Sequence, residues 1–184
     1  MRVIGGTAKG TKLHSVPGST TRPILDRVKT SLFDILRPKI PEASFLDMFA
    51  GSGGVGIEAL SLGAKNSVFL ELSKKATDVI RKNLEKTDLT DHADVRNTDA
   101  FKYIRNTAKS FDLIFIAPPQ YEGIWLEALQ CVAERPELIN EDGKIVVQID
   151  PKEEEGIEFT SIQEVDRRKY GNTLLLFYNK ASKI

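Results

Sequence analysis

The spacing of apolar positions changes near residue 40. Before it, the short apolar pieces Val3-Ile4 and Leu13 are separated by Gly5-Gly6, Gly10 and Pro17-Gly18. That pattern predicts a small hairpin or extended arm over the first 20 residues. Thr21-Arg22-Pro23 then marks a helix start, with Pro23 near the first helical position, where its missing N–H costs nothing. Val28, Leu32, Ile35 and Leu36 recur at i, i+4, i+7 and i+8, giving that helix one apolar face up to Pro38. From residue 44 onward, strand and helix signals alternate. Strands are expected at 44–49, 67–72, 93–96, 111–116 and 144–149, with a closing antiparallel pair at 160–165 and 174–178. Helices are expected at 56–62, through Ala76, Val79, Ile80 and Leu84, from Ala100, and from Trp125 to Ala133. Residues 111–116 are almost wholly apolar, as in a strand covered on both faces. The alternation implies a three-layer α/β/α sandwich around a seven-stranded, mainly parallel sheet. The acidic run 153–155 is expected in a solvated loop.

Composition narrows the class. The chain has 184 residues, 41% apolar and 28% charged, which describes a soluble globular protein with one sizeable core. A single cysteine, Cys131, excludes a disulfide framework and a Cys-cluster zinc site. Two distant histidines, His14 and His92, argue against a His-based metal centre. The opening MRVIGGTAKG lacks the apolar core of a signal peptide, and no apolar run approaches the length of a membrane span. The expectation is a reducing, cytoplasmic location, no membrane and no metal.

Charge is balanced overall but uneven along the chain. Residues 1–40 carry eight basic residues against two acids, whereas 41–100 carry seven against ten and 101–184 eleven against fourteen. This divides the chain into a basic hairpin-and-helix extension, 1–40, and a main domain, 41–184. A basic arm on an acidic body suits a polyanion, because Lys and Arg displace counterions from phosphates. An unevenly charged, solvated surface gives the same numbers.

Candidate chemistry concentrates at three strand ends. In Asp47-Met48-Phe49-Ala50-Gly51-Ser52-Gly53-Gly54-Val55-Gly56, the residues Gly51, Gly53 and Gly56 satisfy G-x-G-x-x-G. Such glycines let the backbone approach a ligand at a helix N-terminus. Glu71 follows 20 residues later at the end of the next strand, where a carboxylate can hold ribose hydroxyls. Strand, glycine turn, helix, strand and acid permit either NAD or S-adenosylmethionine. Asp47, four residues before Gly51, suits the amino-acid portion of adenosylmethionine, and the chain has little room for a separate substrate domain; both points favour that donor. Phe49, Ser52, Leu72 and Ala100 flank the same turns. Asp99 is either an acceptor for an adenine amino group or a helix N-cap. The third site, Ala117-Pro118-Pro119-Gln120-Tyr121, follows the most apolar strand; the proline pair fixes an extended backbone, and Tyr121 offers a stacking face for a base.

These motifs carry a resemblance. MRVIGG-x-x-KG-x-x-L, TRP-x-x-DRV-x-x-x-LF-x-IL, LD-x-FAGSG-x-x-GIEALS-x-GA, FDLIF-x-x-PP and KYG-x-T-x-LLFY together span nearly the whole chain. It resembles the bacterial RsmD-like family, which methylates the exocyclic N2 of a guanine in 16S ribosomal RNA. The resemblance implies a class I, Rossmann-like methyltransferase fold, S-adenosylmethionine as donor and a small-subunit RNA partner. It implies direct in-line transfer, with Asp47, Gly51, Gly53, Glu71 and Asp99 holding the donor and Tyr121 stacking on the extruded guanine. Arg22 would bridge cofactor pocket and RNA, and Arg167-Arg168-Lys169 would meet phosphates unless they merely protect a strand edge. One position departs from the family: Ala117 stands where Asp or Asn precedes Pro-Pro, and Gln120 separates the prolines from Tyr121. Ala117 cannot accept a hydrogen bond from the target amine, whereas Gln120 could if it turns inward. Two other readings stay open: a lapsed enzyme that still docks on the small subunit, and an NAD-dependent oxidoreductase. The chain is expected to be a monomer.

Overall fold

The computed structural model describes residues 1–19 and 23–182. Helix α1 (Asp26–Leu36) precedes strand β1 (Ser44–Asp47), which leads through the glycine turn into α2 (Gly54–Ser61). Then follow β2 (Asn66–Glu71), α3 (Lys74–Thr87), β3 (Ala93–Asn97), α4 (Ala100–Asn106) and β4 (Phe111–Ile116). The chain finishes with α5 (Ile124–Ala133), β5 (Ile139–Ile149), β6 (Ile162–Tyr170) and β7 (Thr173–Lys180). The seven strands lie in the order β3-β2-β1-β4-β5-β7-β6. The first five are mutually parallel, and β7 runs antiparallel between β5 and β6. The sequence therefore anticipates the architecture: a three-layer, Rossmann-like sandwich with an antiparallel closing hairpin.

Each sheet face has its own core. Phe45, Leu113, Phe115 and Val146 pack with α1, α2 and α3 on one side. Leu46, Ile114, Ile116 and Val147 pack with α4 and α5 on the other. Successive residues of β1 and β4 face opposite layers, which is why these central strands read as unbroken apolar runs.

Several boundaries differ from the sequence expectation. Helix α1 starts at Asp26, with Leu25 extended at its N-cap, so Pro23 lies outside the helix. Ile24 is buried beneath this turn, and the Leu25 carbonyl receives the first helical N–H groups, from Val28 and Lys29. Strand β5 begins five residues early, at Ile139, because its polar start is drawn into the sheet: Asn140 Nδ2 donates to Asp112 Oδ1 at 3.0 Å. The register skips there, with Asp142 in the left-handed region at φ 60°. Strand β6 begins at Ile162 and runs on through Arg167-Arg168-Lys169, whose charges hide an edge strand from any apolar pattern. Glu153 is not a free loop acid: it closes a capping box with Asp150 over a 3-10 turn, Pro151–Glu153.

The first residues do not stand apart from the body. Val3, Leu13 and Val28 belong to the same apolar core as Phe45 and Ile57. An isolated bridge, Arg2 to Lys12, closes the loop between them. Beneath that loop Lys29 of α1 and Glu58 of α2 are buried together, Nζ to Oε2 2.9 Å. Lys29 Nζ also donates to the Arg2 carbonyl at 2.7 Å. The Glu58 carboxylate accepts the backbone N–H groups of Ile4 and Gly5 at 3.0 and 2.8 Å. Ser61, one turn further along α2, accepts from Ala8 N–H and donates to the Gly5 carbonyl. Buried Asn83 of α3 accepts from the His14 N–H and donates to the carbonyls of His14 and Ser52.

A buried ion pair broken from one side leaves an uncompensated charge. Lys29→Met should therefore cost roughly 3–5 kcal/mol of stability in urea unfolding. Removing the exposed Arg37–Asp34 pair with Arg37→Ala should cost less than about 1 kcal/mol.

Candidate active site

A cavity of about 530 Å³ opens at the carboxyl ends of β1, β4 and β5, where ligands of open α/β sheets bind. Its volume lies in the range of small-molecule sites. The sheet contributes Asp47, Phe115, Ala117 and Gln148; the glycine turn contributes Phe49, Gly51, Ser52 and Gly54. The loop from Pro118 to Glu122 forms one wall, and Met1, Ser15, Val16 and Ile24 form the wall opposite.

Gly51 has φ +56°, and a Cβ there would meet nothing within 4 Å, so the turn faces open space. Gly56 is required for packing instead: its Cβ would lie 2.4 Å from the Phe69 ring, where α2 crosses β2. That contact brings the Gly56 N–H to Asp47 Oδ2 at 3.2 Å. Asp47 Oδ1 is buried with no partner among the described residues. Burial pushes the Asp47 carboxyl up to about 7; the Gly56 hydrogen bond opposes that rise, and the Glu71 charge reinforces it. Asp47 is thus a buried acid at the cavity whose Oδ1 has no hydrogen-bond partner among the described residues.

Glu71 clamps the turn. Its Oε2 accepts from Gly51 N–H at 3.0 Å and its Oε1 from Ser73 N–H at 2.9 Å. Leu72 is 71% exposed beside it. Asn97 Nδ2 donates to the carbonyls of Glu71 and Leu72, which fixes the ends of β2 and β3 side by side. Asp99 caps α4 through Lys102 N–H at 2.9 Å, so its N-cap role is realised, and Ala100 is buried behind it. Glu71, Leu72, Asp99 and Ala100 lie outside the cavity lining, as does Gly53.

Past β4, Pro118 is buried and Pro119 and Gln120 are exposed. Tyr121 adopts φ 64° and is 64% exposed, with its ring at the cavity wall. Two acids hold it: the hydroxyl donates to Asp150 Oδ2 and the backbone N–H to Glu153 Oε1. The tyrosine hydroxyl, followed by the Lys152 N–H, holds the Asp150 carboxyl below the usual carboxylate range.

The structure unites Asp47, Phe49, Gly51, Ser52, Ala117, Pro118, Pro119, Gln120 and Tyr121 in one cavity. It does not bring Arg167, Arg168 or Lys169 there. Arg167 pairs with Glu164 and Glu154, and Arg168 with Asp166. Arg22 lies outside the described residues. Sequence reasoning missed Gln148 and the wall formed by Met1, Ser15 and Val16. A signal for Gln148 was present: it is the one polar residue within Ile145-Val146-Val147-Gln148-Ile149. A second depression, about 960 Å³, lies at the opposite strand ends near Asn66 and Ala93, where Asp94 is already saturated by Arg96 and Lys109.

The chain is similar to known proteins. A family model described as "Conserved hypothetical protein 95" matches residues 1–179. A Bacillus subtilis protein named "Putative rRNA methyltransferase YlbH" is 38% identical over 183 residues, spanning 98% of this chain and 99% of its own. The "Ribosomal RNA small subunit methyltransferase D" of Escherichia coli K12 is 33% identical over 141 residues, 77% of this chain and 71% of that protein. A solved Escherichia coli structure, "Putative methyltransferase yhhF", superposes with a TM-score of 0.86 at 28% identity, covering 100% of this chain and 99% of that one. With the family model spanning the basic N-terminal block, the glycine turn and the Pro-Pro loop alike, the chain belongs to the Conserved hypothetical protein 95 family, the RsmD family.

Proposed function

We propose that the protein transfers a methyl group from S-adenosylmethionine to the exocyclic N2 of a guanine in 16S ribosomal RNA of the small subunit. The observation that carries this reading is the buried, unpartnered Asp47 Oδ1 inside a glycine-turn cavity whose other wall is the Pro118-Pro119-Gln120-Tyr121 loop. The names of the relatives support the RNA substrate, and the open space before Gly51 supports a cofactor lying along the turn.

Asp47 would pair with the ammonium of the donor's amino-acid portion. Phe49, Gly51, Ser52 and Gly53 would line its path, Glu71 would hold the ribose, and Leu72, Asp99 and Ala100 would receive the adenine. The donor supplies a methyl group on a sulfonium, already a good leaving group, so the residues contribute mainly orientation. Tyr121, its hydroxyl anchored on Asp150, presents a fixed ring for an extruded base. The Pro118 carbonyl would accept one N–H of the target amine, with Ala117 and Pro119 shaping the slot and Gln120 at its mouth. Arg22 and the Arg167-Arg168-Lys169 edge would meet phosphates, joined by the solvent-facing cations of residues 1–40, a segment packed onto the main core. The reading calls for no metal, no membrane, a cytoplasmic monomer and the small subunit as partner. Among the described residues no cluster of His, Cys, Asp and Glu could hold a metal ion, and no helix is long and apolar enough to cross a membrane. Ala117 favours a second reading, a cofactor-binding protein that docks on the subunit without methylating it.

Labelled S-adenosylmethionine incubated with small subunits lacking the modification should yield N2-methylguanosine on nucleoside analysis. Cofactor binding without incorporation would favour the second reading.

The Asp47 carboxyl gives a pH signature. A cation beside it lowers its value from about 7, so binding releases a proton. Calorimetric affinity for S-adenosylmethionine should rise from pH 5.5 to 7.5 and lose that rise in Asp47→Asn. In the free protein the raised carboxyl contributes stability below the unfolded value of 3.8 and loses it as pH climbs through about 7. The melting temperature of Asp47→Asn relative to the native protein should therefore increase between pH 5 and 8.

A further inference from the structure

Strands β4 and β5 run parallel, with Phe115 beside Val146 and Ile116 beside Val147. The next step of that register sets Ala117 beside Gln148, and both line the cavity. Alternation along β5 gives Val146, Gln148 and Asp150 one common face, the face on which Phe115 and Val146 share a core. The sheet thus ends under the Pro-Pro loop in a methyl group on β4 and a carboxamide on β5.

That carboxamide is unemployed. Gln148 Oε1 is buried and has no hydrogen-bond partner among the described residues. A buried amide oxygen without a partner is costly, and native proteins rarely leave one. The acids that follow Gln148 along the chain are occupied. Asp150 receives the Tyr121 hydroxyl and the Lys152 N–H. Glu153 receives the N–H groups of Tyr121 and Asp150. Gln120, the other amide nearby, is exposed. Of the two unpaired buried acceptors that line the cavity among the described residues, Asp47 Oδ1 and Gln148 Oε1, it is Gln148 that the strand register sets beside Ala117. Its carboxamide can turn about its terminal torsion to offer oxygen to whatever enters.

We propose that Gln148 is a catalytic residue that takes the place of a polar side chain at Ala117: its Oε1 accepts one N–H of the target amine. This deepens the proposed methyl transfer and rests on it. An arylamine is a poor nucleophile because its lone pair is delocalised into the ring. Accepting one N–H at Gln148 and the other at the Pro118 carbonyl aims that lone pair at the methyl carbon. The nitrogen–carbon bond then forms as the carbon–sulfur bond breaks, with the bonding pair leaving on sulfur as a neutral thioether. The surplus proton on nitrogen passes to water, because a carboxamide is too weak a base to keep it.

The experiment compares kcat and KM for native protein, Gln148→Leu, Gln148→Glu and the double variant Gln148→Leu/Ala117→Asn, on subunits lacking the modification. Gln148→Leu should lower kcat by about 10²–10³-fold, as loss of one well-placed polar stabiliser does, while KM for S-adenosylmethionine and the melting temperature hold. Ala117→Asn in that background should recover at least tenfold by restoring an acceptor from the adjacent strand. Gln148→Glu should retain kcat at high pH and gain an acidic limb in its pH–rate profile that the neutral amide lacks. A Gln148→Leu protein within threefold of native kcat would overturn the assignment. So would a Gln148→Glu variant that binds the donor yet is inactive at every pH. Absence of transfer by the native protein would instead sink the underlying function, and this role with it.

Discussion

Lys29 and Glu58 meet where water does not reach, and the wall of the cavity depends on that meeting. Two opposite charges are tolerated inside a protein only when their remaining hydrogen-bonding capacity is also met. Here the backbone of residues 2–5 meets it: the Arg2 carbonyl faces the ammonium, and the Ile4 and Gly5 N–H groups face the carboxylate. The first residues cannot lift away without stranding two buried charges. Held there, Met1 packs against the start of α2 so closely that a Cβ at Gly54 would fall 2.2 Å from its sulfur. The glycine turn, α1, α2 and the N-terminal loop are consequently one mechanical unit.

This constraint also revises the charge argument. Lys29 is one of the eight cations in the basic segment, yet it is fully buried and neutralised from within. Arg37 pairs with Asp34, and Lys39 reaches the Asp142 carbonyl. A count of charges along a chain does not distinguish a cation facing solvent from one spent on holding the fold.

The cavity itself is a row of side chains across the carboxyl edge of the sheet. Asp47, Ala117 and Gln148 come from three neighbouring strands, and each follows an apolar stretch buried on both faces. Deep burial of those stretches anchors the row; burial raises the Asp47 carboxyl, and the Gln148 oxygen has no partner among the described residues. Facing the row, the Pro118–Tyr121 loop is braced against Asp150 and Glu153 at the end of the next strand. The sheet thus fixes the relative positions of the cavity's side chains.

Much of this was legible locally. The apolar runs at β1 and β4 named the central strands, and the spacing of Asp47, Gly51, Gly53, Gly56 and Glu71 named the glycine turn at the cavity. Those features depend on residues close in sequence, where alternation and backbone freedom act directly. The charged second half of the edge strand β6 and the polar start of β5 escaped because pairing, rather than apolar content, places them in the sheet. Gln148 could be seen as an oddity in an apolar run, but only the parallel register with β4 sets it beside Ala117. The partnership of Lys29 with Glu58, 29 residues apart and on different helices, had no signature at all. The sequence by itself determined which segments are strand, turn and helix, because those choices follow from local periodicity. The tertiary structure alone decided which polar groups meet, because the free energy of a buried charge or amide depends on partners that the chain brings from far away.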